Sequence, residues 1–198
     1  PQTTASKSVA FVSWRVVIVG PRGAGKNTLA QMMAAELGCK WAGTGEILVE
    51  RLARLLHAIK PTYPIEAFED QLAAAGFIAE HKECYRRALI ELGDQLREDD
   101  PSKLLSEASG RAPIVVGART QMECYAWLNL RRICGPVLVV ELTREGSGAD
   151  NYQLAGVARY LYRNPLKGVQ SRRVANDLTL EHLREAARVL AEEVKAMG

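Results

Sequence analysis

"RVVIVGPRGAGKNTLAQMMAAEL" spans Arg15 to Leu37. Its first five residues form a short β-branched run closed by Gly20 and Pro21, the mark of a strand buried on both faces of a parallel sheet. From Lys26 apolar residues recur at helical spacing as far as Leu37, and Gly38 is a candidate C-cap. Between strand and helix stands Gly20-Pro21-Arg22-Gly23-Ala24-Gly25-Lys26, which matches GxxxxGK. Glycines let a backbone curl until several N–H groups face one anion, and the helix adds its positive N-terminal end. Lys26 is placed to reach the outer phosphates of a nucleotide. The competing reading is a glycine-rich turn that merely contains a lysine, and the strand-to-helix context counts against it. Gly20 through Lys26, with Asn27 and Thr28, are therefore expected to hold the phosphates of ATP.

Asn27 departs from the pattern. The residue after the lysine is usually Ser or Thr, whose hydroxyl ligates Mg²⁺. An amide oxygen is also a neutral oxygen ligand on a longer arm, so Asn27 and Thr28 are the candidate metal ligands. The alternative is that Asn27 caps backbone N–H groups.

Outward from this stretch the chain alternates strands and helices. "CKWA" (Cys39–Ala42) is expected as a second strand, and "GTGEILVERLARLLHAIK" as a helix stopped by Pro61. In that helix Ile47, Leu48, Leu52, Leu55, Leu56 and Ile59 form an amphipathic stripe. "PTYPIEAFEDQLAAAG" is expected as a loop with a short helix, and Lys82–Arg97 as a strong helix, with another opening at Pro101. "PIVVG" (113–117) and "PVLVVEL" (136–142) are further strands separated by a helix from Gln121 to Ile133. A polar stretch from Thr143 to Asn176 ends in a short strand "RVA", and Thr179 caps a last helix from Leu180 to Met197. The sum is an α/β fold, a parallel sheet flanked by helices on both faces, with the P-loop NTPase type of glycine-rich loop after its first strand. Residues 1–13 are expected as a flexible arm and 14–198 as one kinase domain. Its acceptor-binding region covers about 44–100 and its lid about 144–174.

Composition narrows the class. The chain has 198 residues, 47% hydrophobic and 25% charged, which suits one globular domain. The net charge of +3 is compatible with an anionic ligand without establishing a nucleic-acid partner. Cys39, Cys84, Cys124 and Cys134 have no CxxC or zinc spacing and are expected as reduced thiols. No apolar run is long enough for a membrane span, and a cytoplasmic protein is expected, in the host cytoplasm if the chain is phage-encoded. There is no NKxD motif of a GTPase and no strand ending in the carboxylate pair of an ATPase motor. A small chain with a basic lid-like stretch favours a kinase of nucleotide-like acceptors, and a homodimer is one open state of assembly.

Three later segments sharpen this. In "GTGEILVER", Thr44, Gly45, Glu46 and Arg51 resemble the segment with which nucleoside monophosphate kinases open their acceptor helix. "YRRALIELGDQLREDDP", "VVGARTQMECYAW" and "ANDLTLEHLREAA" together resemble the phage deoxynucleoside monophosphate kinases. The matching residues are Leu92, Gly93, Arg97, Asp100 and Pro101, then Arg119 and Glu123, then Asn176, Asp177, Thr179, Leu180 and Leu183. The resemblance covers most of the chain from Val16 onward and is firmest at the glycine-rich loop. It implies a P-loop NTPase fold of the adenylate-kinase-like kind with a small helical lid, and a deoxynucleotide acceptor whose phosphate meets Arg86, Arg87, Arg97 and Arg119, because guanidinium forks match phosphate oxygens. Surface ion pairing is the competing role for each arginine.

The departures bear on the acceptor. That family carries Asp after the loop lysine and an acid before the strand-end arginine; here Asn27 and the pair Gly117-Ala118 stand instead. Either the magnesium site is rebuilt from Glu46, Asp94 or Glu141, or the acceptor has changed. In "RYLYRNPLKGVQSRR", Arg159, Arg163, Lys167, Arg172 and Arg173 interleave with Tyr160 and Tyr162. Such a stretch neutralises a moving phosphoryl group or follows a nucleic-acid backbone. Related phage P-loop kinases phosphorylate the 5-hydroxymethyl group of modified deoxyuridine in DNA, and the departures point to that branch. The expectation is an ATP- and Mg²⁺-dependent kinase of that base in DNA. A free deoxynucleoside monophosphate is the alternative acceptor, and a nucleotide-binding module with weak catalysis the third reading. Lys26, Glu46, Asp94 and Arg119 are the candidate catalytic groups, with Glu46 ahead of Asp94 as general base.

Overall fold

The computed structural model describes residues 14–59, 70–131, 135–145, 157–176 and 179–197. The expected N-terminal arm, the stop at Pro61, and Ile133, Cys134 and Asp177 lie outside the described residues, as do residues 146–156 of the stretch expected as a lid. Among those described, the order is β1 (Arg15–Val19), α1 (Lys26–Leu37), β2 (Trp41–Gly43), α2 (Thr44–Ile59), α3 (Gln71–Glu80), α4 (Arg86–Asp99), α5 (Lys103–Arg111), β3 (Ile114–Val116), α6 (Gln121–Arg131), β4 (Val137–Thr143), α7 (Val157–Arg163), β5 (Val169–Ala175) and α8 (Leu180–Met197).

The five strands form one sheet in the order β2-β3-β1-β4-β5, and every pairing is parallel. β1 is central, with Val17 opposite Val115 on one side and Val139 on the other. Strand alternation sends Val17, Val19, Val115, Val137 and Val139 into one core, shared with α2 through α7. Val16, Ile18, Ile114, Val116, Leu138, Val140 and Leu142 enter the other, against α1 and α8. Both faces are covered, which is why these strands read as unbroken apolar runs. The carboxyl ends of β1, β3 and β4 come together at one edge of the sheet, the usual place for a ligand in an open α/β fold.

Several expected elements shift. The second strand is Trp41–Gly43, starting two residues and ending one residue later than expected. α3 runs through Gly76 to Glu80, capped by the Asp70 side chain on Leu72 N–H. The helix expected from Lys82 starts at Arg86, because backbone turns with Cys84 and Arg86 donating to His81 and Glu83 carbonyls precede it. In α2 only the first part of the apolar stripe is buried: Ile47, Leu48 and Leu52 are, whereas Leu55 and Ile59 are exposed. The lid expected over about 144–174 needs the largest correction. Val169–Ala175 is a seven-residue edge strand paired along its length with β4. Its sequence looks polar because an edge strand buries little, and Gln170, Arg172 and Arg173 are exposed.

Candidate functional site

The loop from Gly20 to Gly25 joins β1 to α1 at the carboxyl edge. Gly20, Gly23 and Gly25 have φ of 156°, 80° and 92°. A Cβ on Gly20 would collide with the Leu142 carbonyl oxygen, so the loop can leave β1 beside β4 only with glycine there. Within the loop Ala24 N–H donates to the Pro21 carbonyl at 3.3 Å. Lys26 curls back, and its ammonium donates to the same carbonyl at 2.6 Å. Partial burial, and after it the charge of Arg119, lower this ammonium from 10.5 to about 8. Asn27 is exposed and Thr28 half-buried, one and two residues into α1.

Neighbouring segments grip the loop from outside. Arg144, just past β4, donates to the Gly23 carbonyl at 3.3 Å. Asn176, just past β5, donates from Nδ2 to the Ala24 carbonyl at 2.8 Å. Arg22 reaches across to Glu83 at 2.6 Å, and Glu83 also holds Arg86 at 3.1 Å. The turn between α3 and α4 therefore touches the loop.

A second constellation forms where β3 ends. Thr120 accepts from the Glu123 N–H at 3.0 Å, and Glu123 accepts from the Arg119 N–H at 2.8 Å, a reciprocal cap at the start of α6. Glu123 is fully buried, and the same oxygen, Oε2, accepts from Arg97 Nε at 3.2 Å. Arg97, itself only 9% exposed, also donates to Asp94 at 3.1 Å. Gly93 makes room for it, since a Cβ there would lie 2.8 Å from Arg97 Nη1. Among the described residues Arg97 Nη2 and Glu123 Oε1 are buried without a hydrogen-bond partner. Partial desolvation and then the charge of Arg97 hold the Arg119 guanidinium below its ordinary range, against the pull of Asp94 and Glu123.

Thr44, first residue of α2, donates from Oγ1 to the Gly117 carbonyl at 2.9 Å and so pins α2 to the end of β3. Glu46 is exposed in the first turn of that helix.

The structure thus brings Lys26, Arg119, Arg97 and Asp94 to one edge, with Arg22 and Arg86 joined beside them. Other expected site residues are occupied elsewhere. Arg51 pairs with Glu107 at 2.6 Å, in a network that continues through Arg111 to Glu50 and ties α2 to α5. Arg87 projects into solvent beside Glu91. Arg172 pairs with Glu193 of α8. Glu141, offered as a metal ligand, is buried and accepts from the Ala158 N–H at 3.0 Å. Arg159 and Arg163 are exposed on α7, which starts beside Glu141 and leads back to the opposite edge of the sheet, where Gly168 meets Val137. Sequence reasoning missed Arg144 as a site residue and, although it marked Asn176 in a motif, gave it no role. Polar residues just past the carboxyl ends of strands are the signal that points to both.

Cys39, Cys84 and Cys124 are free thiols. No helix among the described residues is long and apolar enough to cross a membrane. The chain matches no protein-family model and no curated protein, so residue chemistry and geometry carry the functional reading.

Proposed function

We propose that the protein is an ATP- and Mg²⁺-dependent kinase of the P-loop, adenylate-kinase-like class, similar to the phage deoxynucleotide kinases, with a nucleotide acceptor. The observation that carries this reading is the glycine loop between β1 and α1, with left-handed Gly23 and Gly25, whose Lys26 ammonium folds back on the Pro21 carbonyl and is lowered first by burial and then by the charge of Arg119 after β3. Two cations held near one another at the carboxyl edge favour an anion between them. Lys26 and the loop N–H groups serve the donor phosphates, and Arg119 serves the phosphoryl group in transit. Arg97, set by Glu123 and Asp94, aims at the acceptor. A Mg²⁺ carried in on nucleotide phosphates needs only one or two protein oxygens, and Asn27 and Thr28 can supply them at the start of α1. It would neutralise charge on the transferring phosphates.

For the acceptor we favour the 5-hydroxymethyl group of deoxyuridine in DNA. No acidic residue occurs from Val157 to Asn176, and Arg159, Arg163, Lys167 and Arg173 are exposed there. These cations are spread from α7 through to β5, and such a spread of charge suits an extended polyanion better than a lid over one phosphate. A hydroxyl acceptor needs a base, and Glu46 at the head of α2 is assigned that role. A free deoxynucleoside monophosphate is the second reading. It is favoured by the buried, unsatisfied Arg97 Nη2, a donor that a terminal phosphate oxygen would complete.

Transfer of label from γ-labelled ATP decides between them, with hydroxymethyl-deoxyuridine DNA and free mononucleotides offered side by side. Label on DNA alone supports the first reading and label on mononucleotides alone the second. ATP hydrolysis without transfer to either refutes both acceptors.

A further inference from the structure

We infer that Asn176 is a positioning residue of the phosphate loop, coupling nucleotide binding to the junction between β5 and α8. The inference rests on the reading of Gly20–Lys26 as a phosphate loop. Asn176 is fixed at two points. Its own N–H donates to the Thr143 carbonyl at 2.7 Å, extending the β4–β5 ladder by one bond. Its side-chain Nδ2 then donates to the Ala24 carbonyl at 2.8 Å, across 152 residues of sequence.

The described peptide bonds are all trans, so the carbonyl of one residue and the N–H of the next point in opposite directions. Holding the Ala24 carbonyl outward therefore turns the Gly25 N–H inward, toward the side where the loop curls around an anion. The fit is close. A Cβ on Gly25 would lie 2.6 Å from Asn176 Nδ2 and 3.7 Å from Leu183 Cδ2, so glycine at 25 is what admits the amide. With φ of 92° at Gly25, this peptide plane is also the one next to the left-handed turn that leads into α1. A peptide plane with glycine on one side has less intrinsic reason to keep one orientation; the amide supplies one. Arg144 on the Gly23 carbonyl repeats the device one residue earlier. The strand ends beyond β4 and β5 thus set consecutive carbonyls of the loop, and Asn176 sets the one whose partner N–H opens the helix.

The test compares wild type with Asn176→Ala and Asn176→Asp. The second is isosteric and replaces the donor by an oxygen that repels the Ala24 carbonyl. Binding of ATP and of inorganic tripolyphosphate is measured by titration calorimetry, and KM for ATP and kcat by label transfer. Loss of one aimed donor is expected to weaken both ligands about tenfold in Asn176→Ala, and more in Asn176→Asp. KM for ATP should rise by a larger factor than kcat falls. A merely structural role would lower the active fraction, so a fall in kcat with unchanged KM overturns the inference. So does wild-type affinity in both variants. If Asn176→Ala fails to fold, Asn176→Asp, which keeps the volume, carries the comparison. Wild-type protein that binds neither ATP nor tripolyphosphate overturns the phosphate-loop reading and this inference together; wild-type binding with unaffected variants overturns this inference alone.

Discussion

Replacing Lys26 by Met should make the protein more stable and leave it inactive. The ammonium is lowered from 10.5 to about 8, first by burial and then by Arg119. A lowered lysine means that the folded state disfavours the charge. Below pH 8 the group is charged in both folded and unfolded chains, and the folded chain carries the full cost. Between pH 8 and 10.5 the unfolded chain binds more protons, so stability rises with pH; above 10.5 the cost is gone. The difference between 10.5 and about 8 corresponds to about 3 kcal/mol. Residual solvent exposure reduces this, and removing the hydrogen bond to the Pro21 carbonyl takes away about 1 kcal/mol more. The net gain for Lys26→Met at pH 7 is then about 1–2 kcal/mol, or roughly 2–8 °C in Tm for a chain of this size.

The assay is thermal unfolding of both proteins without ligand at pH 7 and again near pH 10.5. The advantage of the variant should be present at the lower pH and shrink at the higher. On the proposed reading, transfer activity of the same variant should fall by about 10²–10³, because the ammonium that serves the donor phosphates is gone. A variant no more stable than wild type at pH 7, or equally favoured at both pH values, refutes the electrostatic argument. Near-normal transfer by the folded variant refutes the phosphate-loop assignment.

Gly93→Ala places a Cβ 2.8 Å from Arg97 Nη1. It should raise acceptor KM by about tenfold in steady-state kinetics while changing ATP affinity little. Glu46→Gln should slow phosphorylation of a hydroxyl acceptor by about 10²–10⁴ but leave a phosphate acceptor, which already presents an anionic nucleophile, within a few-fold. Arg163→Ala combined with Lys167→Ala should flatten the log–log dependence of DNA affinity on salt by roughly 0.7–0.9 for each phosphate that the variant no longer neutralises. Arg172, held by Glu193, is the poorer choice for that test. Asn27→Asp should tighten Mg²⁺ dependence, read as the metal concentration giving half-maximal rate, because a charged oxygen replaces a neutral one.

The parts of the fold legible in the sequence are those in which every residue of an element obeys one pattern. β1 and α1 have the expected bounds because a β-branched run meets glycines, and because Gly38 closes the helix with its N–H on the Ala34 and Ala35 carbonyls. α8 is equally plain, with Thr179 Oγ1 accepting from His182 N–H at its start. β5 is legible only at its last three residues, since a strand with one edge open alternates weakly and its arginines mimic a lid. Site residues follow the same divide. Lys26 opens α1 after the glycine loop and Arg119 stands just past β3, where position alone points to a ligand. Arg51 and Arg172 have the right chemistry, but partners distant in sequence, Glu107 and Glu193, claim their guanidinium groups. No local pattern announces such a partner. The hydrogen bond from Asn176 to Ala24 is hidden for the same reason, being fixed by the β4–β5 register rather than by anything near either residue.

The charges at the carboxyl edge also say why an anion should organise this site. Glu123, buried, offsets Arg97 and orders the start of α6, and Asp94 adds to that from α4. Neither carboxylate is hydrogen-bonded to Lys26, whose ammonium falls back on the Pro21 carbonyl. Lys26 and Arg119 are both held below their usual ranges, each by burial first and a neighbouring cation second. That arrangement costs the folded protein stability, and the cost has two remedies. Deleting a cation is one, which is the basis of the Lys26→Met prediction. Placing a phosphoryl group between the two is the other, and it returns the same free energy as binding affinity, since a ligand that relieves a folded-state penalty stabilises that state by mass action. Wild-type protein should therefore gain more in Tm from saturating tripolyphosphate than Lys26→Met does, and the gain should shrink as pH rises through 8.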